Sequence, residues 1–307
     1  MLGPALSAPT YPFRASGPQI LDSAGVETQF RCVNWAGHME ANVPEGLQMQ
    51  KLDDIVDLLA SQPTYNCVRL TYAAELFDKT TMTLRESFQP GNNNADTDLS
   101  PLVANITKHN PELVDMTLPA VFEAVVDALA KRDIFVLMSN HVSRSMWCCG
   151  QGDGNGWWGD EYFDVDGWTK SLEGMAALMA PHPNVVALDL RNELRNEVLS
   201  TDDQIRDWMK FMPKGVAAVL AGDASMLVFV SGLSYDNDLT FLDRDDLISD
   251  DWASQLEHLV SNIVFEGHIY SWSPFGEITD DCSQLTYVRR ERGALIESAS
   301  GKASVFP

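Results

Sequence analysis

The chain has 307 residues, 45% of them hydrophobic, 21% charged and 9% aromatic. That is too apolar for a disordered chain, carries no collagen period, and holds no run near the roughly 18 apolar residues that a bilayer span needs. With 21 basic and 44 acidic residues the formal charge is −23, which favours solubility and repels phosphate backbones and anionic lipid; nucleic acid and membrane surfaces are disfavoured as partners, while neutral substrates and cations stay open. The length fits two average domains or one α/β barrel of about 250 residues.

In chain order, strand-length apolar runs fall at residues 30–36, 66–72, 134–140, 185–191, 226–231 and 263–270. Most are continuously hydrophobic, as in strands of a parallel sheet covered on both faces. Helical spacing separates them. Leu52, Ile55, Val56 and Leu59 predict a helix over 51–61, and Val121, Val125, Ala128 and Leu129 one over 118–131. Leu172, Met175, Ala176 and Met179 predict a capped helix over 166–179, with further helices over 202–220, 252–260 and 283–295. The polar stretch 89–110, with Asn92, Asn93 and Asn94, predicts a long loop, and 143–164, rich in Gly and Trp, a second. The glycines at 150, 152, 154 and 156 read as loop flexibility, because they stand at no strand-to-helix turn.

Strands alternating with helices imply right-handed βαβ units, closed in a barrel or laid out as an open sheet. The C-terminal ends of at least five of the runs carry polar residues: Asn34-Trp35, Arg69, Asn140-His141, Arg191-Asn192-Glu193 and His268 with Tyr270. In a barrel every such end faces one mouth, whereas an open sheet gathers them at one crevice. No dinucleotide fingerprint follows the first strand. The expected fold is therefore an α/β barrel forming a single domain over 1–307.

Glu193, after Asn192, is the candidate proton donor or acceptor, with Asn192 placed to bond a substrate hydroxyl; the plainer reading is a salt bridge to Arg191 or Arg195. Glu266, His268 and Tyr270 alternate along one strand and so share a face. Arg69 inside an apolar strand needs an anionic partner. Trp35, Trp147, Trp157 and Trp158 fall at strand ends or in the loops above them, where indole faces either stack on sugar rings or pack the loops. No Gly-x-Ser-x-Gly elbow, His-Glu-x-x-His helix or phosphate loop is present, and no metal or cofactor is expected. Of the five cysteines, Cys32 and Cys67 read as buried hydrophobes, while Cys148 and Cys149 lie in a loop from which one of them could bridge elsewhere; Cys282 completes the odd count. Residues 1–10 show no basic region and too short an apolar run for a leader, and Asn105-Ile106-Thr107 is a glycosylation acceptor; extracellular location is the expectation.

Taken together, Arg69 in Asn66-Cys-Val-Arg-Leu70, Asn140-His141, Leu190-Arg-Asn-Glu-Leu194 and His268-Ile-Tyr270 resemble, in order, the signature residues of glycoside hydrolase family 5, the cellulase family. The loop from Trp147 to Trp158 looks like a branch found in plants and fungi. The resemblance runs from about residue 19 onward and implies a (β/α)8 TIM barrel and retaining hydrolysis of a β-linked glucan or mannan, without a protein partner. It assigns Glu193 as acid/base and Asn192, Arg69, His141, His268 and Tyr270, with Trp35 and Trp147, to substrate binding. A second carboxylate about 5–5.5 Å away would form the covalent intermediate.

The chain departs from that pattern where the family has a nucleophilic Glu in a Glu-Phe-Gly-like motif at the end of strand seven. Glu297 lies ahead of where that strand should start, and Val305-Phe306 would open it. The expectation is a C-terminally incomplete barrel of about six of the eight units, with open edges at the first and sixth strands, cut from a longer enzyme. The alternative is a non-catalytic carbohydrate binder or an inactive fragment.

Overall fold

The computed structural model describes residues 9–243 and 259–268 and the backbone of 304–306. Its centre is a seven-stranded sheet in simple order: β3 (Cys32–Trp35), β4 (Cys67–Ala73), β5 (Phe135–Val142), β6 (Val185–Asp189), β7 (Leu227–Ser231), β8 (Ile263–Glu266) and β9 (Ser304–Phe306). Every neighbouring pair is parallel. The strand expected to open at Val305 is thus present as β9, and it covers the edge of β8 that the sequence left open. Helices α1 (Leu52–Ala60), α4 (Leu118–Ala130), α5 (Val165–Met179) and α6 (Thr201–Gly222) fill the crossovers within about two residues of their predicted bounds. The predicted helices over 252–260 and 283–295 lie almost wholly outside the described residues.

A hairpin and a pair of helices stand where none was predicted. A hairpin of β1 (Arg14–Ser16) and β2 (Gln19–Leu21) precedes the barrel strands. Two short helices, α2 (Leu84–Ser87) and α3 (Leu102–His109), follow β4. The second corrects the loop expected over 89–110: α3 is exposed around most of its circumference and buries only Val103 and Ile106, so composition hid its period.

The strands carry two apolar sets at period two. Val68, Leu70, Tyr72, Val136, Met138, Leu188, Val228, Val230 and Phe265 pack outward against the helices. Cys67, Leu137, Ala187, Phe229 and Val264 point inward and are closed from below by Phe13, Ala15 and Ile20 of the hairpin segment. Phe13 meets Phe30 and Phe135 edge-on at centroid separations of 5.0 and 5.5 Å, and the Ala15 amide donates to the Ser261 carbonyl ahead of β8. Two residues further along each strand the inward set turns polar: Arg69, Ser139, Asp189, Ser231 and Glu266, all buried. This switch from oil to charge along the barrel axis sets where the site is.

The tops of the strands are tied to the helices by buried indoles. Trp168 of α5 donates from Nε1 to the Leu190 carbonyl and Trp208 of α6 to the Ser231 carbonyl, each at 2.8 Å. Cys32 and Cys67, read from sequence as free hydrophobes, sit opposite one another in the β3–β4 register and form a disulfide; adjacency across the ladder, invisible in one strand alone, brings them together. Cys148 and Cys149 are bonded to each other, so neither bridges elsewhere. Cys282 lies outside the described residues.

Candidate active site

Arg69 enters the polar layer from β4 and meets two carboxylates there. Its Nη2 lies 2.5 Å from Asp189 Oδ2 and 3.3 Å from Glu266 Oε1. The anionic partner that the apolar strand demanded is therefore a pair, one acid from β6 and one from β8. Asp189 also accepts from Ser139 Oγ at 2.7 Å and from the Arg191 amide at 3.0 Å. The same Arg69 Nη2 donates to Asn192 Oδ1 at 3.1 Å, which orients that amide with its N–H2 group away from the guanidinium.

Glu193 and His268 form the layer above. His268 Nδ1 lies 2.9 Å from Glu193 Oε1, and its Nε2 lies 3.1 Å from Glu266 Oε1 and 3.7 Å from Asp236 Oδ2. Burial alone would lower the imidazole pKa; the charge of Asp236 and the bonds to Glu193 and Glu266 outweigh it and push it up to about 11. The ring is thus an imidazolium donating from both nitrogens. Glu266 is raised by burial but held down at about 2 by Arg69 and then His268. Asp189 is pushed up to about 7 by burial and by Glu266, against the pull of Arg69, and burial lifts Asp236 well above the usual carboxylate range. Glu266 is therefore the fixed anion between the two cations.

The Glu193 backbone is in the left-handed region at φ +50°, and its N–H donates to Asp236 Oδ2 at 2.9 Å. Asp236 arrives on a turn in which Ser234, Tyr235 and Asp236 all have positive φ, and its carbonyl accepts the His268 amide at 2.8 Å. One residue, through its carboxylate and its carbonyl, thus ties the strand-end segment of Glu193 to that of His268. Sequence reasoning missed both Asp189 and Asp236. The cost argument that singled out Arg69 applies equally to an Asp within the apolar run 185–190; no pattern marks Asp236.

The arginines beside Glu193 have other work. Arg191 is fully buried over the Phe163 ring at 3.8 Å and donates to Asn140 Oδ1 at 3.0 Å and the Asn155 carbonyl at 2.5 Å. Arg195 grips Asp153 at 2.6 and 2.8 Å and donates to the carbonyls of Gly150 and Glu193. These contacts fasten the loop after β5. Three of its glycines meet geometric demands: Gly152 and Gly154 have φ of +66° and +76°, and a Cβ on Gly156 would lie 2.7 Å from the Arg195 carbonyl.

His141 stacks on His38 with centroids 4.1 Å apart. Burial, then neighbouring positive charge, keeps both imidazoles neutral: His38 is lowered to about 4 and His141 well below its ordinary value. Trp35 is half-buried and donates to the Glu45 carbonyl at 2.8 Å, while Trp147 stands 74% exposed. For Trp157 and Trp158 the loop-packing alternative holds. Both are buried, Trp157 bonded to Asp207 of α6 at 3.1 Å and Trp158 packed on Trp168 and Phe211. Tyr270 and Glu297 lie outside the described residues. Among the described residues His141, Cys148 and Cys149 are the one group with three ligand atoms close enough for a metal, and the disulfide leaves no thiolate to serve it.

The C-terminal ends of the parallel barrel strands thus bring together a largely buried glutamate, an imidazolium and a guanidinium, groups able to exchange protons and bind polar ligands. The glycosyl hydrolase family 5 cellulase model matches residues 59–303, and the chain belongs to that family. It is 36% identical over 270 residues to a glycosyl hydrolase 5 family protein of Chamaecyparis obtusa, covering 87% of this chain and 46% of that one. With an endoglucanase of Paenibacillus polymyxa it shares 24% over 226 residues, 73% of this chain and 50% of that one. The chain thus spans about half the length of the curated relatives it matches. In fold it is similar to the catalytic domain of the major endoglucanase from Xanthomonas campestris pv. campestris, with TM-score 0.67, 19% identity and coverage of 95% of this chain and 79% of that one. A hyperthermophilic endocellulase of Pyrococcus horikoshii gives TM-score 0.67 at 16% identity, covering 98% of this chain and 81% of that one.

Proposed function

We propose that this chain carries the substrate-binding and proton-transfer centre of a secreted glycosidase acting on a β-linked glucan, with Glu193 as acid/base. The supporting observation is the position of the Glu193 carboxyl, held by His268 Nδ1 at the mouth of the barrel above Arg69 and Glu266. Family membership fits that role, as does the endocellulase of Pyrococcus horikoshii, whose complexes with cellotetraose share the fold. A glutamate so placed protonates the leaving glycosidic oxygen and then activates water in a retaining mechanism, once a second carboxylate has taken the sugar. The two disulfides fit an oxidising compartment and so secretion. The reading is tested by release of reducing ends from cellotetraose and hydroxyethyl cellulose. Glu193→Gln should lower the rate by about 10²–10⁴-fold with the fold intact by circular dichroism. Undiminished hydrolysis would overturn the assignment. Calorimetric binding of cellotetraose with no turnover would instead favour the saccharide binder that the unmatched nucleophile motif raises, and a preference for mannotetraose would move the substrate to mannan.

A further inference from the structure

The disulfide between Cys148 and Cys149 lies within the site and not beside it. Asn192 Nδ2 approaches Cys149 Sγ at 3.3 Å and Cys148 Sγ at 3.7 Å, and both sulfurs lie within 4.8 Å of a ring nitrogen of His141. The exposed indole of Trp147 immediately precedes the pair. The pair is also held in place. On one side Asn155 Oδ1 accepts the amides of Ser143 and Arg144 at 2.9 and 3.0 Å, and its Nδ2 contacts Met146 Sδ at 3.2 Å. On the other side Arg195 Nε donates to the Gly150 carbonyl at 3.0 Å.

A disulfide is an apolar, polarisable surface with only weak acceptor capacity. Against Asn192 this has a definite consequence. Arg69 fixes the amide oxygen, so the N–H2 group faces the sulfurs, which satisfy it only weakly and leave it ready to donate to a sugar hydroxyl. We propose that the Cys148–Cys149 disulfide is a saccharide-contacting shelf, continuous with Trp147, against which the apolar face of a sugar ring lies while Asn192 donates to one of its hydroxyls. This rests on the saccharide reading of the site. It adds a specific element, a disulfide as part of the binding surface, and makes binding responsive to thiols.

The test is calorimetric titration of the protein with cellotetraose. The paired substitution Cys148→Ser with Cys149→Ser should raise Kd about tenfold, whereas Cys32→Ser with Cys67→Ser, which removes the disulfide near the barrel floor, should leave Kd within about twofold while lowering Tm. Within that second background, dithiothreitol passes two electrons and two protons to the remaining disulfide, giving two thiols and its own cyclic disulfide. That treatment should reproduce the tenfold loss, and reoxidation should reverse it, which keeps the test decisive if the first variant does not fold. If the untreated protein binds cellotetraose and neither the folded variant nor reduction changes Kd by more than about twofold, the shelf is overturned and the saccharide reading stands. If the untreated protein does not bind cellotetraose, the saccharide reading fails and the shelf fails with it.

Discussion

Glu193 holds its backbone at φ +50°, in a region that costs a non-glycine residue about 1–3 kcal/mol unless its surroundings fix it. Here the surroundings are Asp236 on its amide and His268 on its carboxyl. The charges of that pair set a pH window. The imidazole of His268, at about 11 against an unfolded value of 6.5, contributes stability that is whole below pH 6.5 and declines as pH rises toward 11. Glu266, at about 2 against 4.5, contributes stability that is whole above pH 4.5 and is lost as pH falls toward 2. Both are complete only between those two unfolded values. Urea unfolding followed across pH should therefore show the stability lost in His268→Gln to be greatest between pH 4.5 and 6.5 and to shrink steadily above it. A loss that grew with alkalinity would contradict an imidazolium held between two carboxylates.

At the scale of elements, the N-terminal hairpin is the part whose contribution is most easily isolated. Phe13 is 3% exposed and closes the inward apolar layer against Phe30 and Phe135. Phe13→Ala should cost about 3–5 kcal/mol in urea unfolding, because a floor held by surrounding strand ends relaxes little into the gap. On the proposed saccharide reading, affinity for cellotetraose should be unchanged, since the polar layer stands between that floor and Glu193. A large loss of affinity with modest destabilisation would show the floor and the rim to be coupled. The hairpin was not legible in the sequence because three residues give no period to read, whereas the barrel strands were legible as unbroken apolar runs covered on both faces. The site divides in the same way. Glu193, Asn192 and His268 stand out as polar residues where apolar runs end. Asp236 owes its place to a turn with three left-handed residues, and Trp157 and Trp158 owe their burial to packing of a loop on α6; residue type reveals neither.

For the molecule as a whole, the formal charge of −23 acts at long range without choosing the substrate. A neutral oligosaccharide has no charge for that field to repel, so binding of cellotetraose should be nearly independent of ionic strength. An anionic glucan derivative differs. Carboxymethyl cellulose approaching the same mouth is repelled across a distance of order the Debye length, roughly 30 Å at 0.01 M salt and 8 Å at 0.15 M. If the proposed glycosidase reading holds, raising sodium chloride across that range should increase kcat/KM on carboxymethyl cellulose several-fold while leaving hydroxyethyl cellulose nearly unchanged. The comparison cancels any effect of salt on the protein itself, because both polymers present the same β-linked backbone to the same site. An equal response for both would place the salt effect on stability instead of encounter, and a fall for carboxymethyl cellulose alone would mean that Arg69, His268 and their neighbours present a positive mouth within a negative surface.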